Sequence, residues 1–303
     1  MTLIEVRHFT KDDFQMLGDL YATVTSRGET VFWWVGEEAN WPNVFIAVEG
    51  ERIIGKGQVS VISEIPAGSP QDHKHHIYLN LKTRPERESD YHLYDLLYEP
   101  LLNRAYELKA ALPPAHQTLI GIGNQSTEMN NTQYFISKGF GYSKSLYTMQ
   151  RALVGEMNPF ALSAPNRCIQ WDMPSEASIH EYLAADMEIW PGAPIGMERL
   201  MENRKNRAWT SFVVRENDTL VGSVMAWVDA EGDGVIEDVF VREPWRQQGI
   251  AKHLLYQALT YLKNIGCECA ELQVETANSS ALSLYHAVGF REVSEEVRYE
   301  RDL

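Results

Sequence analysis

The sequence states one pattern twice, about 150 residues apart, and a repeat of that length restricts the chain to two similar domains in tandem. Val44–Gly55 reads as strand, turn and strand, and so does Thr210–Gly222. Leu96-Leu97-Tyr98 matches Leu254-Leu255-Tyr256 within comparable helical stretches. Phe135 to Phe140 matches Tyr285 to Phe290, and both segments close on Gly-Phe. Each half then ends on a further strand, around Ser145–Gln150 and Glu296–Glu300. Between them Val154–Asn166 is rich in Pro, Gly, Asn and Ala and reads as a linker. The expected division is a domain over 1–153, a linker over 154–166 and a second domain over 167–303.

The second half carries the more informative stretch. Val239-Phe240-Val241 alternates as a half-buried strand would, and after Gly249 the apolar spacing becomes helical. Ile250, Leu254, Leu255, Ala258, Leu259 and Leu262 fall on one face of that helix. A strand that enters a helix through a tight turn leaves several backbone N–H groups unpaired and aimed at one point, where the helix dipole adds positive charge. Glycine at the turn lets a phosphate approach, because no Cβ intervenes. The remaining elements expected there are a strand near Cys168–Trp171 and helices over Ser175–Ile189 and Met197–Arg204. Strands follow at Trp209–Arg215, Leu220–Val228 and Val235–Val241, then the long helix Gln247–Asn264. A strand at Cys269–Glu275, a helix at Ser279–Val288 and a last strand complete the order, which suits an α/β sandwich.

Arg246-x-x-Gly249-x-Ala251 resembles the acyl-CoA pyrophosphate loop of the GNAT superfamily of N-acetyltransferases, and Asn278 to Phe290 looks like that family's second conserved block. The resemblance covers nearly all of residues 168–303 and implies two tandem GNAT-like domains. Each would be a mixed, mostly antiparallel sheet flanked by helices, and the layout is similar to that of mycothiol synthases. It implies that acetyl-CoA is held by the N–H groups of Gln247, Gln248, Gly249, Ile250 and Ala251 beside the Arg246 side chain. It further implies that the backbone of Val239, Phe240 and Val241 pairs with the pantetheine arm, with an N–H near Val239 facing the thioester oxygen.

The first half keeps the frame without that chemistry. Where the second has its glycine turn, the first has Arg84-Pro-Glu-Arg-Glu-Ser-Asp-Tyr-His92, whose Glu86, Glu88 and Asp90 would repel a pyrophosphate. Phe135 stands at the position of Tyr285 and Glu128 at that of Asn278, and Pro100 would kink the helix that follows. The expectation is a first domain that has lost acetyl-CoA binding.

Acetyl transfer to an amine requires a base and a partner for the leaving thiolate. The resemblance implies Glu237 as the base, since it precedes the pantetheine strand where family members carry an acid, and alternation along a regular strand would turn Asp238 to the opposite face. Against that role stands a plainly solvated strand residue. Tyr285 is the expected acid or hydrogen-bond donor, although Ala281, Leu284, Tyr285 and Val288 also form the stripe of a core-facing helix. A tyrosine near pKa 10 protonates a thiolate near 8.5 at a cost of about 2 kcal/mol, which favours hydrogen-bond donation. Asn278 both caps its helix and stands where it can touch the cofactor.

The expected activity is transfer of acetyl to a primary amine of a small molecule in a ternary complex. A non-catalytic acyl-CoA sensor and a peptide or protein N-acetyltransferase stay open as alternatives. Asp229, Glu231, Asp233 and Asp238 hint at a cationic acceptor. The net charge of −15 argues against a nucleic-acid partner. No apolar run is long enough for a membrane span, no signal-peptide pattern begins the chain, and the three cysteines are too few for a disulfide framework. A cytoplasmic monomer or homodimer is expected. No metal is expected, since His73, His75 and His76 have no second ligand cluster and read as a polar loop.

Overall fold

The computed structural model describes residues 3–26, 28–65, 69–155, 157–191 and 194–303. In chain order the first repeat comprises β1 (Ile4–His8), α1 (Phe14–Thr25), β2 (Val44–Glu49), β3 (Arg52–Ser63), β4 (His75–Thr83), α2 (Tyr91–Ala111), β5 (Thr118–Gln125), α3 (Met129–Ser137) and β6 (Gly141–Ala152). The second comprises β7 (Asn166–Gln170), α4 (Glu176–Ile189), α5 (Gly196–Asn203), β8 (Arg207–Glu216), β9 (Thr219–Val228), β10 (Gly234–Val241), α6 (Ile250–Asn264), β11 (Cys269–Glu275), α7 (Ser279–Ala287) and β12 (Arg291–Asp302). Both repeats therefore have the expected mixed α/β order.

The chain forms two compact units, and each takes its closing strand from the other repeat. The first unit is Met1–Leu146 with Ser294–Leu303, and the second is Tyr147–Val293. In the first, β12 lies antiparallel to β5 from Glu296↔Gln125 to Asp302↔Leu119. In the second, the end of β6 lies beside β11, and Leu153 N–H donates to Glu268 O at 2.8 Å. The division thus differs from one at residues 153 and 167. Strand pairing decides it, because Tyr299 and Leu303 pack on the first core while Met149 and Leu153 are buried in the second. The stretch expected as a linker is also docked, except for residue 156, which lies outside the described residues. Met157, Phe160 and Leu162 pack on the second core, and His253 Nδ1–H donates to Phe160 O.

Within the second unit α6 buries the stripe that its spacing predicts, with Ile250, Leu254, Leu255, Ala258, Leu259 and Leu262 all buried. Each large aliphatic side chain on it contributes about 2 kcal/mol as an upper estimate. The helix starts at Ile250, not Gln247, because Gln247 and Gly249 hold φ of 62° and 79°, outside the helical range. Ser175 caps α4 by accepting from Ser178 N–H at 3.2 Å. In the first unit α2 runs as one helix through Pro100. His75 is a buried residue of β4, not part of a loop: its Nδ1 accepts from Ile65 N–H and its Nε2 faces Pro113 O, both at 2.9 Å.

Candidate active site

Two parallel strands part at the centre of the second unit. β10 pairs with β11 only at Gly234↔Ala270 and Val235↔Glu271. Beyond that point β10 stays registered to β9 alone, and its ladder breaks between Glu237 and Phe240. Asp238, with φ of 56°, and Val239 form the resulting bulge and have no partner on β9. The equivalent strand of the first unit is regular here, with Asn80, Leu81, Lys82 and Thr83 in unbroken register with β3. The extra residue is specific to the second repeat.

The bulge changes which carboxylate faces inward. Alternation along a regular strand would separate Glu237 from Asp238, but β10 is not regular at that pair. The Tyr182 hydroxyl of α4 donates to Asp238 Oδ2. Burial pushes the Asp238 carboxyl up to about 7. Tyr285 on α7 is 8% exposed, and burial, followed by the charge of Asp238, pushes its phenol up to about 12. Among the described residues no group hydrogen-bonds the Tyr285 hydroxyl. Glu237 is half-buried and accepts from Arg199 Nη2 at 2.6 Å, so its charge is already matched. Asp238 is therefore bonded to Tyr182 of α4 and near enough to Tyr285 of α7 to act on it electrostatically, while Glu237 is paired with Arg199. The sequence offers Asp238 only as one of several acids that hint at a cationic acceptor, not as the base. Its one sequence-level trace is that aspartate, unlike a β-branched residue, tolerates positive φ.

The same strand leads into the expected anion cradle. After a 3-10 turn at Glu243–Trp245, Gln247 and Gly249 reverse the chain with positive φ and α6 begins. Among the described residues the N–H groups of Gln247, Gln248, Gly249, Ile250 and Ala251 have no protein acceptor. A Cβ built on Gly249 meets nothing within 4 Å, so the space over the turn is open. The exposed Arg246 bends back, its Nε donating to Val241 O at 3.0 Å. Asn278 Oδ1 accepts from Ala281 N–H at 3.0 Å, which is the helix-capping geometry expected of it. Asp229 Oδ1 accepts from Gly232 and Asp233 N–H at 2.9 and 2.8 Å and so holds its own hairpin turn.

The first unit fills the corresponding opening with side chains. β4 and β5 part after Leu79↔Ile122. Beyond that point the buried Lys82 ammonium donates to Asn124 Oδ1 at 2.9 Å and to Glu128. Glu128 Oε2 also takes Gln125 N–H at 2.8 Å, and Asn124 is tied to Asn131 at 3.0 Å. Among the described residues no group of His, Cys, Asp and Glu is arranged to hold a metal, and no helix is long and apolar enough to cross a membrane.

A parting parallel pair, a bulged strand and a glycine-turned helix start lie together in the mixed α/β sheet of the second unit. Residues 171–290 match the family model described as Acetyltransferase (GNAT) family, and the chain carries a domain of that family. A curated relative, N-alpha-acetyltransferase 30 of Schizosaccharomyces pombe, is 32% identical over 93 residues, which are 29% of this chain and 62% of that protein. A GCN5-related N-acetyltransferase from Sphaerobacter thermophilus superposes with a TM-score of 0.77 at 17% identity, over 99% of this chain and 95% of that one. A tandem GNAT protein from the clavulanic acid biosynthesis pathway gives 0.69 at 12% identity, over 99% and 98%. The whole chain therefore has the tandem GNAT fold.

Proposed function

We propose that the second unit transfers acetyl from acetyl-CoA to a primary amine of a small molecule by direct attack in a ternary complex. The observation that carries this reading is the convergence on one strand end of five free amides, Asp238 and Tyr285. The chain's residues fit the co-substrate. The amides of Gln247 to Ala251 and the open space over Gly249 suit a diphosphate. The edge of β10 that β11 leaves uncovered, from Val239 to Val241, suits an amide-bearing arm.

When bound, acetyl-CoA supplies a carbonyl carbon joined to a thiolate leaving group. Asp238 takes the proton that the attacking ammonium must lose, because a carboxyl held near 7 is a stronger base than an ordinary carboxylate. Tyr182 fixes the orientation of that carboxyl. Tyr285 holds its proton at neutral pH and donates a hydrogen bond to the departing sulfur, so full proton transfer is not required. Glu237 orders Arg199 at the rim of the acceptor side and is the second candidate for the base. Trp190 and Tyr182 pack against Phe240 on that side, and aromatic faces beside carboxylates suit a cationic amine.

The test is thiol release from acetyl-CoA across a panel of small amines, beside calorimetry of acetyl-CoA binding. Turnover that Asp238→Asn abolishes with binding retained supports the enzyme and its base. Binding without turnover on any amine sinks it in favour of a sensor. A second reading, acetylation of a peptide α-amine, is favoured by the name of the Schizosaccharomyces pombe relative. Peptides that outperform every small amine would decide for it.

A further inference from the structure

Arg84 and Arg242 occupy the same place in the two repeats, each opening the 3-10 turn that follows β4 or β10. Their backbones are held alike: Arg84 N–H donates to Ile54 O at 2.9 Å and Arg242 N–H to Val221 O at 2.8 Å. One guanidinium nitrogen of each also finds the neighbouring carbonyl, Ile53 O at 2.8 Å and Leu220 O at 3.2 Å. The helix that packs over them supplies the difference. On α4, Glu188 takes Arg242 with both oxygens, at 3.0 and 2.6 Å. On α1 the partner of Arg84 is the neutral Thr23 hydroxyl, at 3.1 Å from Nη1.

The first repeat has thus lost the carboxylate and kept the guanidinium. Arg84 is only 5% exposed and, among the described residues, forms no ion pair. A buried charge without a counterion is costly, so a fold rarely retains one unless something else supplies the opposite charge. Above Arg84 lies a cavity of about 460 Å³, lined also by Met16, Asp19, Thr23, Glu51 and Arg52. Arg52 brings a second guanidinium, whose ion pair among the described residues is a loose contact of 3.6 Å with Glu86, exposed at both ends. Asp19 is near enough to act electrostatically on Arg84, yet the two do not close on each other. A cavity lined by the guanidiniums of Arg84 and Arg52 and by the carboxylates of Asp19 and Glu51 is complementary to a small zwitterion.

We propose that this cavity binds a free α-amino acid, its carboxylate taking on Arg84 and Arg52 the place that Glu188 takes on Arg242, and its ammonium facing Asp19. The site belongs to the first unit and does not depend on acetyl transfer by the second. It gives the first repeat a ligand of its own where acetyl-CoA binding is lost.

The experiment is calorimetry on the full chain with each proteinogenic amino acid, with acetate and inorganic phosphate as separate arms. At least one amino acid binds once per chain, and acetate binds about tenfold or more weakly, because it lacks the ammonium. The deciding variant is Thr23→Glu, which returns to Arg84 the carboxylate that its counterpart has. It folds, melts at a higher temperature than the native chain, keeps the native rate of acetyl-CoA turnover and no longer binds the amino acid. Asp19→Asn, at an exposed position, weakens binding without unfolding the chain. The proposal is overturned if no amino acid binds, if Thr23→Glu binds as the native chain does, or if phosphate binds more tightly than every amino acid.

Discussion

The Tyr182 hydroxyl donates to Asp238 Oδ2, joining helix α4 to the one residue of β10 whose φ is positive. The bond holds a carboxyl that burial has pushed up to about 7. Asp238→Asn keeps an acceptor for Tyr182 and removes the base, so kcat falls by about a hundredfold or more. Glu237→Gln, which loses only an exposed pair with Arg199, changes kcat by less than about tenfold. In the native chain kcat/KM falls about tenfold per unit as pH drops below 7, and Asp238→Asn lacks that limb. Steady-state kinetics across pH checks all three.

The same carboxyl ties stability to pH in the opposite sense. Its value is about 7 folded against 3.8 for the free side chain, so between those values the native state binds a proton that the unfolded chain has released. The stabilisation is complete below about 4 and is lost as pH rises through 7. Asp238→Asn, which carries no charge to bury, melts above the native chain at pH 8 and beyond. Thermal melts in a pH series give the comparison.

The Tyr285 ring packs in the core while its hydroxyl has no hydrogen-bond partner among the described residues, so ring and hydroxyl can be separated by mutation. Tyr285→Phe retains the packing on Phe290, whose ring centroid lies 6.0 Å away, so the melting temperature stays close to native. Without the donor, kcat falls by about tenfold to a hundredfold, the worth of a hydrogen bond to developing charge. Acetyl-CoA affinity is unchanged. A tenfold loss of affinity with kcat intact would assign Tyr285 to binding.

The order of elements and the apolar stripe of α6 are legible in sequence because both depend on local periodicity, and each repeat supports the other. The turn at Gly249 is legible for a similar reason: a left-handed residue with space above it calls for glycine. The bulge at Asp238 is not legible. It depends on the register of β10 against β9, a tertiary property, and one added residue breaks the alternation that would have turned Asp238 away. The exchange of closing strands is hidden for a related reason, since β6 and β12 are interchangeable by pattern and only pairing assigns them. The unpaired state of Arg84 becomes visible only when it is set beside Arg242 and Glu188 in space.

Gly249 has φ of 79° and no neighbour within 4 Å of an added Cβ, so substitutions there fold and report on the cradle. Gly249→Ala costs about 1 kcal/mol of stability through its left-handed conformation alone. Gly249→Glu sets a negative charge where the diphosphate would lie and lowers acetyl-CoA affinity by about a hundredfold or more. Calorimetry that finds undiminished binding to Gly249→Glu would remove the cradle from the site.

The first unit has closed its version of the same opening with a buried ion pair, and that arrangement fixes the stoichiometry. Lys82, with 3% of its side chain exposed, is matched by Glu128 at 14%. Lys82→Met leaves Glu128 uncompensated and costs about 3–5 kcal/mol of stability. Asp90 caps α2 where Gly249 precedes α6, and its carboxylate takes Leu93 N–H at 3.1 Å, so no anion cradle forms there. The expected stoichiometry for the native chain is therefore one acetyl-CoA. Lys82→Met, at a temperature where it is folded, also binds one with unchanged affinity, since the residue it alters belongs to the unit that does not hold the cofactor. A second equivalent of acetyl-CoA bound by the native chain, or a second site appearing in Lys82→Met, would mean that the first repeat retains an open cleft beside Lys82 and Glu128.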